Sequence, residues 1–382
     1  MYNDPTFFNK LTHIRRHIHQ HPELSGQEYQ TTAYIRNFLE ERNIKILESK
    51  LDTGLIAEIG KSDGKIIGLR ADIDALPISE KTQLSYKSIN EGVMHACGHD
   101  LHTTSLLGAA ELLKQHEENL PGKVRLIFQP AEEIFQGAQL VLDTVDFNDW
   151  SALVGFHNAP DLPLGAIGFR ESKQMASVDR FHGIIYGDGT HAAHPEQGSD
   201  PIVTGSQIVA NLQAIVSRHV PANEQVVVSI THITAGNTWN VIPDEFHFEG
   251  TVRTFDNKIR EKVLHLLEKI VHNTADSFDQ NADINWVTGP GPLNNDLKLF
   301  KKLSSSFTKN KRNVVPLDTN LGGEDFAFYQ EHVPTFFASI GTGKNFPLHH
   351  PEFLVDDAAL VYTVNYYLDV VKELLINDQQ DK

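Results

Sequence analysis

Hydrophobic and polar positions follow one another in short blocks that predict helices and strands in turn. The segment 7–23 predicts one helix, which is ended by His21-Pro22. Apolar residues at roughly helical spacing predict a second helix over 29–42. Short β-branched runs at 55–59 and 65–71 predict two strands joined by a hairpin or a loop.

A helix over 103–118 and strands over 123–129 and 153–157 continue this alternation. Strands that alternate with helices predict an α/β layer structure with a largely parallel sheet. Ligands of such sheets bind beyond the carboxyl ends of the strands. The polar residues that the prediction places there are Asp72, Asp74, Glu132, Glu133 and His157.

The pattern changes near residue 179, where strands and helices follow in an order that predicts a small α+β domain of ferredoxin-like type. The predicted elements are strands over 181–186, 225–233, 245–254 and 283–287 and helices over 201–219 and 259–275. We therefore expect two domains: an α/β domain formed by 1–178 and 289–382, and an inserted domain over 179–288.

Composition narrows the possible partners. The chain has 382 residues, more than one hydrophobic core usually serves, which favours two domains. Its 33 Lys and Arg against 50 Asp and Glu leave a net charge of −17, which argues against nucleic acid and anionic membrane as partners. We expect a cytoplasmic protein, because no apolar run approaches the ~20 residues of a membrane span and no apolar leader is present at the start.

Candidate chemistry is concentrated around the only cysteine, in the segment His95-Ala96-Cys97-Gly98-His99-Asp100-Leu101-His102. A lone cysteine excludes an intrachain disulfide and a four-thiolate zinc site. Free cysteine is usually a small buried hydrophobic residue, yet three His and one Asp within eight residues make a poor apolar segment. A transition-metal site satisfies several of these groups at once, and Gly98 lets the backbone turn sharply between Cys97 and His99.

The adjacent carboxylates of Glu132 and Glu133 have two interpretations. They could cap the helix that follows, where negative charge is favoured by the helix dipole. Beside Cys97, His99 and His157 they could instead divide two tasks, one as a metal ligand and the other as a general base.

Several motifs together resemble those of metallopeptidase family M20, subfamily D, which includes hippurate hydrolases, N-acetyldiaminopimelate deacetylases and plant auxin-conjugate hydrolases. The similarity spans nearly the whole chain. The motifs that carry it are the segments 15–24 (RRHIHQHPEL), 71–77 (ADIDALP), 95–100 (HACGHD), 129–133 (QPAEE), 155–157 (GFH) and 240–243 (NVIP), with weaker matches at 322–326 (GGEDF) and 348–351 (LHHP).

The resemblance implies a hydrolase-like α/β catalytic domain that holds two divalent metal ions, of which Zn, Mn, Co and Ni all suit mixed S, N and O ligands. The implied ligands are Cys97 as the bridge, with His99, Glu133, His157 and His349. His349 matches the histidine of the family pattern, whereas His350 occupies its variable place. Glu132 is then the general base, and Asp72 and Asp74 support the ligands.

For the inserted domain the resemblance implies a lid that also forms a homodimer contact. His191 and Asn240 are expected to stabilise the oxyanion, and Arg253 suits the carboxylate of an amino-acid substrate, although it could also be an ordinary surface arginine. Where relatives have Gly-Gly-His-Ala-Ala, this chain has Thr190 directly before His191.

The expected activity is hydrolysis of the amide bond of small N-acyl amino acids or of short peptides, giving a carboxylic acid and an amine. The alternatives are a metal-dependent dipeptidase or carboxypeptidase, a thiol hydrolase in which Cys97 is the nucleophile, and a non-catalytic metal-binding relative.

Overall fold

The computed structural model describes residues 2–61, 63–343 and 345–377, in which helices and strands alternate. The helices are α1 (Pro5–Gln20), α2 (Tyr29–Glu40), α3 (His99–Gln115), α4 (Gly137–Leu142), α5 (Pro201–Ala214), α6 (Asn257–Asp276), α7 (Leu297–Lys309) and α8 (Ala359–Val371). The strands are β1 (Lys45–Ile46), β2 (Leu55–Ile59), β3 (Ile66–Asp72), β4 (Lys123–Gln129), β5 (Trp150–Ala159), β6 (Ile167–Phe169), β7 (Asp179–Tyr186), β8 (Thr190–His191), β9 (Val226–Ala235), β10 (Val241–Ile242), β11 (Glu245–Thr254), β12 (Asn281–Thr288), β13 (Val314–Pro316) and β14 (Thr335–Gly341). Within these residues no helix combines the length and apolarity needed to cross a bilayer.

The chain divides into two units. Unit 1 comprises Met1–Ser172, Asn294–Asp318 and Phe328–Lys382, and unit 2 comprises Lys173–Leu293 and Thr319–Ala327. The division differs from the predicted boundaries because the segments on either side of the insert pair with each other: Met175 forms β-bridges with both Leu293 and Asn320. Residues 319–327, which the prediction assigned to the α/β domain, therefore belong to unit 2.

Unit 1 is built on a mixed eight-stranded sheet in the order β1-β2-β4-β3-β5-β14-β6-β13. The four strands β4, β3, β5 and β14 are parallel neighbours, so the sheet is parallel-rich as predicted. The hairpin alternative for β2 and β3 is wrong, because β4 lies between them and is antiparallel to β2. Every residue of β2 and β3 is buried, as expected for strands inside an α/β layer structure.

Helix α3 lies in the interior of unit 1 and begins earlier than predicted. It packs on β3 and between α1 and α8, and 14 of its 17 residues are buried. Its first turn carries polar residues that hide the apolar pattern, but each has a partner. Asp100 accepts from Arg15 at 2.9 Å and lies 3.0 Å from Nδ1 of His19, and Thr103 donates to the carbonyl of Asp72 at 3.0 Å.

Unit 2 contains a four-stranded antiparallel sheet in the order β12-β7-β11-β9, with the short pair β8 and β10 beside it. Helices α5 and α6 pack on this sheet, and Phe181 and Phe248 are fully buried in the core between them. Arg260 of α6 makes two hydrogen bonds, at 2.6 and 2.7 Å, to the buried carboxylate of Asp179 at the start of β7. Paired geometry of this kind fixes the helix against the strand.

The turn before α3 generates a stability prediction. Gly98 has φ +85°, and an added Cβ would lie 2.5 Å from the side-chain nitrogen of Asn158, which is itself bonded to the carbonyl of Cys97. Gly92 has a similar φ of +77° with nothing within 4 Å of an added Cβ. Gly92→Ala should show only the left-handed penalty of roughly 1–2 kcal/mol, whereas Gly98→Ala should lower the melting temperature further. Equal decreases in melting temperature would show that the Asn158 side chain can move away from the added Cβ without a loss of stability.

Candidate metal centre

Three neighbouring parallel strands end at one edge of the unit 1 sheet and bring the predicted site residues together. Asp72 is the last residue of β3, and the Glu132-Glu133 pair follows β4 within a short turn. His157 lies near the carboxyl end of β5, and His99 opens α3. The carboxyl ends of parallel strands are where ligands of such sheets bind, as the sequence pattern predicted.

The donor atoms of the five predicted metal ligands lie within a few ångströms of one another. Cys97 Sγ is 3.3 Å from Nε2 of His157 and 3.3 Å from Nε2 of His349. Glu133 Oε2 lies 3.5 Å from His349 Nε2, and Glu133 Oε1 lies 3.8 Å from His99 Nε2. Two groups result, Cys97 with His99 and His157, and Cys97 with Glu133 and His349, and Cys97 belongs to both.

Two buried atoms in this cluster fit a bound cation. His99 Nε2 and Glu133 Oε1 are buried and have no hydrogen-bond partner among the described residues. A buried polar atom left unpaired costs about 1–3 kcal/mol, and a cation between these two would satisfy both. Sulfur, imidazole and carboxylate donors together suit divalent transition metals. The residues present therefore fit two divalent cations that share Cys97.

Asp74 orients two of the five predicted ligands at once. Its carbonyl and its Oδ1 lie 3.0 and 3.1 Å from Nδ1 of His99, so Nδ1 donates and Nε2 faces the cluster. Its other oxygen accepts from the backbone N–H of Glu133 at 3.0 Å and from Ser25 at 2.7 Å. Although burial lowers the pKa of His99, the Asp72 and Asp74 carboxylates raise it to about 10, so a cation bound at Nε2 would have to displace a proton.

Asp72 acts through a residue that the sequence interpretation missed. Its Oδ1 lies 2.5 Å from Nδ1 of His102, and its Oδ2 accepts from Arg70 at 2.7 Å. His102 Nε2 in turn accepts the backbone N–H of Asn158 at 3.0 Å, and the side chain of Asn158 donates to the carbonyl of Cys97. The three-residue spacing of His99 and His102 on one helix was the available signal. Asp72 therefore supports the Cys97 turn indirectly.

Burial shifts the pKa values of two further predicted ligands, His157 and Cys97, in opposite directions. It lowers the pKa of His157 to about 3, and nearby His102 adds to that effect, so the imidazole is neutral. Its Nδ1 donates to the carbonyl of Asn158 at 2.8 Å, which leaves Nε2 towards Cys97. Burial, followed by the charges of Glu133 and Glu132, raises the pKa of the Cys97 thiol well above its ordinary value. The thiol is therefore protonated, and a cation bound there would have to displace the proton.

The helix-cap interpretation of the two glutamates is wrong. Helix α4 begins at Gly137 with Gln136 as its N-cap residue, and its first turn contains no acidic residue. Glu132 and Glu133 lie in the preceding turn instead, with Glu132 almost fully buried. Glu132 and Glu133 form a further donor group with His99.

The geometry distinguishes the two C-terminal histidines. His349 has φ +65°, its backbone N–H donates to the carbonyl of Ala96 at 2.8 Å, and its ring reaches Cys97. The ring of His350 stacks on Phe346 with centroids 4.5 Å apart, and its Nδ1 accepts from the backbone of Glu352. His349 is therefore the histidine that joins the cluster.

The three predicted substrate-contacting residues all lie in unit 2. His191 on β8 is paired in register with Val241, and the backbone of Asn240 accepts from Ala192 at 3.1 Å, so His191 and Asn240 share one short ribbon. Thr190 pairs with Ile242 and has no left-handed φ, so the departure from glycine before His191 introduces no backbone strain.

Arg253 lies on another strand of unit 2, β11. It donates to Thr251 at 3.1 Å and to the carbonyl of Leu321 at 3.4 Å, and burial lowers its pKa.

Comparison with known proteins agrees with this geometry. The family model for peptidase family M20/M25/M40 matches residues 68–373. An N-acetyl-L-cysteine deacetylase of Bacillus subtilis strain 168 is 44% identical over 381 residues, which covers 100% of this chain and 92% of the relative. The IAA-amino acid hydrolase ILR1-like 4 of Arabidopsis thaliana is 35% identical, covering 97% of this chain and 87% of the relative.

A solved structure shows the same fold. The YXEP protein of Bacillus subtilis, a dinuclear metal-binding peptidase from the M20 family, superposes with a TM-score of 0.86 at 43% identity, covering 96% of this chain and 98% of that one. The predicted resemblance is thus confirmed, as is the prediction of an enzyme that hydrolyses amide bonds. The chain belongs to peptidase family M20/M25/M40 and is a hydrolase of amide bonds.

Proposed function

We propose that this enzyme hydrolyses N-acyl amino acids with two divalent cations held by Cys97, His99, Glu133, His157 and His349. The observation that carries the proposal is that two donor groups overlap at Cys97 while a further buried carboxylate, that of Glu132, lies beside them. The names of the deacetylase and the IAA-amino acid hydrolase support this substrate class. Zn, Mn, Co and Ni all suit the donor set.

Glu132 transfers the protons in this mechanism. When bound, two divalent cations polarise the substrate carbonyl and lower the pKa of water towards about 7. Glu132 takes the proton of the attacking water and later passes it to the leaving nitrogen, because an amide anion is a very poor leaving group. Its burial and its place next to a ligand suit a base that must reach both atoms.

Residues of unit 2 bind and orient the substrate in this proposal. His191 Nδ1 accepts the backbone N–H of Ala193 at 3.1 Å, so its Nε2 carries the proton and can donate to the oxyanion. Asn240 supplies a second donor, and Arg253 binds the carboxylate of the amino-acid half. We further propose that the inserted domain, predicted over 179–288, acts as a lid and forms a homodimer contact, and that the protein is cytoplasmic.

The electrostatics of Cys97 argue against a thiol hydrolase. A cysteine nucleophile needs a depressed pKa, and the pKa of Cys97 is raised by burial and neighbouring carboxylates. A non-catalytic metal-binding protein has no use for an additional buried carboxylate such as that of Glu132.

A hydrolysis screen tests the proposal directly. N-acetyl, N-benzoyl and aminobenzoyl amino acids and a set of dipeptides should be assayed with each candidate metal added back after EDTA treatment. N-acyl amino acids should be cleaved only with metal present. Cleavage confined to the dipeptides would favour a dipeptidase, and activity that survives EDTA but not iodoacetamide would exclude the metal mechanism.

Glu132→Gln should separate metal binding from proton transfer. We expect metal content to stay near that of the wild-type chain and kcat to fall by several orders of magnitude, because the amide cannot accept the proton. Elemental analysis and steady-state kinetics measure the two quantities. Loss of metal in this variant would make Glu132 a ligand and leave the base unassigned.

Cys97→Ala should weaken metal binding and reduce proton release. The wild-type thiol is protonated at pH 8 because its pKa lies well above the ordinary value, so cation binding there must displace its proton. Calorimetric titration with Zn²⁺ in buffers of different ionisation enthalpy should show about one proton fewer released by the variant. Unchanged affinity and proton release would contradict the bridging role.

Arg253→Ala should raise KM for N-acyl amino acids roughly 10-fold or more while leaving KM for the corresponding N-acyl amines, which lack the carboxylate, nearly unchanged. Arg180 on β7 is a matched control, since it is exposed and pairs with Glu249 on the same sheet. Arg180→Ala should affect neither substrate. Equal changes for both substrate types would remove Arg253 from carboxylate binding.

A further inference from the structure

The side chain of Glu28 is fully buried in unit 1, although Glu28 stands at the start of a helix, where such a side chain often caps the helix. Glu28 is the N-cap residue of α2, yet its carboxylate makes no hydrogen bond to that helix. Glu23 does so instead, accepting from the backbone N–H groups of Gln30 and Thr31 at 3.1 and 2.8 Å. The carboxylate of Glu28 is thus directed towards other parts of the unit.

Three neutral donors surround this carboxylate. Oε1 accepts from the backbone N–H groups of Gly26 at 2.9 Å and Ala131 at 2.8 Å, and Oε2 accepts from the hydroxyl of Thr53 at 2.7 Å. Among the described residues no Lys, Arg or His forms an ion pair with it, and burial raises its pKa. Burying a carboxylate without a cationic partner is unfavourable in free energy. We therefore expect the hydrogen bonds of Glu28 to serve a purpose beyond stability.

Ala131 begins the turn that carries Glu132, and its backbone is in an unfavourable conformation. Its φ is +53°, in the left-handed region that residues with a Cβ rarely adopt. Its carbonyl accepts from the backbone N–H groups of Gln136 and Gly137 at 3.2 and 3.1 Å, so the turn closes on itself. Glu28 accepts the N–H of Ala131, so both the N–H and the carbonyl of this residue are hydrogen-bonded.

The turn that carries Glu132 and Glu133 is held by two different carboxylates. The backbone N–H of Glu133 donates to Asp74, as described above, whereas the residue before Glu132 is held by Glu28. Loss of Glu28 should therefore disturb Glu132 more than Glu133.

We propose that Glu28 is a positioning residue for the general base, holding Ala131 by a hydrogen bond so that the Glu132 carboxylate stays where it exchanges protons with water and the leaving amine. The inference rests on the proposed function of Glu132. It requires the hydrogen-bond acceptor and the length of the side chain, and it does not require the negative charge.

Substitutions at Glu28 separate these properties. Glu28→Gln keeps an acceptor for Gly26 and Ala131 and places its NH₂ towards the Thr53 hydroxyl, which can rotate to accept. We expect kcat within about 3-fold of wild type. Glu28→Leu removes the acceptor, and kcat should fall roughly 10- to 100-fold, with KM changed less than about 2-fold and metal content retained. A fall in Glu28→Gln equal to that in Glu28→Leu would overturn the proposal, as would metal loss in Glu28→Leu at unchanged kcat per bound metal.

Glu28→Asp provides a second variant in case Glu28→Leu does not fold. It keeps the charge but shortens the reach by one methylene, so it should resemble Glu28→Leu in kcat. Wild-type kcat in Glu28→Asp together with a loss in Glu28→Gln would show that charge, and not the hydrogen bond to Ala131, matters.

Two controls distinguish positioning from general loosening. Glu23→Leu removes a partly buried acceptor from the same segment without contact to the Glu132 turn, so it should lower the melting temperature and leave kcat unchanged. In a Glu132→Gln background, Glu28→Leu should reduce the residual kcat less than 2-fold, because the base that it positions is already gone. A full 10- to 100-fold loss in that background would contradict the positioning role. Absence of amidase activity in the wild-type enzyme would instead refute the proposed function.

Discussion

The dominant constraint on this structure is the concentration of buried acidic groups at one edge of a parallel sheet. Two neighbouring strands, β3 and β4, lead into Asp72, Asp74 and the Glu132-Glu133 pair at this edge. Removing several carboxylates from water is unfavourable unless positive charge or donors compensate them. Arg70 compensates part of this charge, and neutral His102 donates a hydrogen bond to Asp72. His99 Nε2 and Glu133 Oε1, which have no hydrogen-bond partner among the described residues, are where bound cations would compensate the rest.

A second set of hydrogen bonds holds the predicted ligands in defined positions. Asp74 holds His99 and the backbone of Glu133, and Asp72 acts through His102 and Asn158 on the carbonyl of Cys97. His99, Glu133 and Cys97 are therefore each held by a partner from a different segment of the chain. Such partners set the tautomer and direction of a ligand, so they influence metal binding without contacting the metal.

Much of the fold was predictable because its signals are local, and the parts that were not depend on distant partners. The strand over 245–254 and the helices of unit 2 follow directly from hydrophobic periodicity, and the cluster at Cys97 follows from an unusual local composition. By contrast, β4 lies between β2 and β3, and segment 319–327 joins unit 2 through pairing with Met175. Both pairings join residues that are far apart in the sequence, so no short stretch of the sequence predicts them. Asn158 and Glu28 were missed for the same reason, because each is an ordinary polar residue until its partner is known.

Cys97 shows why a single residue type can determine what this site does. Its burial among carboxylates raises its pKa, which makes it a poor nucleophile, whereas a bound divalent cation would replace the proton with a stronger positive charge. The same environment that disfavours the free thiolate would favour a metal-bound form, since a cation held here would also neutralise Glu133 and accept the lone pair of neutral His157. With Cys97 as the proposed shared ligand, the thiolate would be stable only together with the cations, so cysteine at this position would link metal binding to completion of the site.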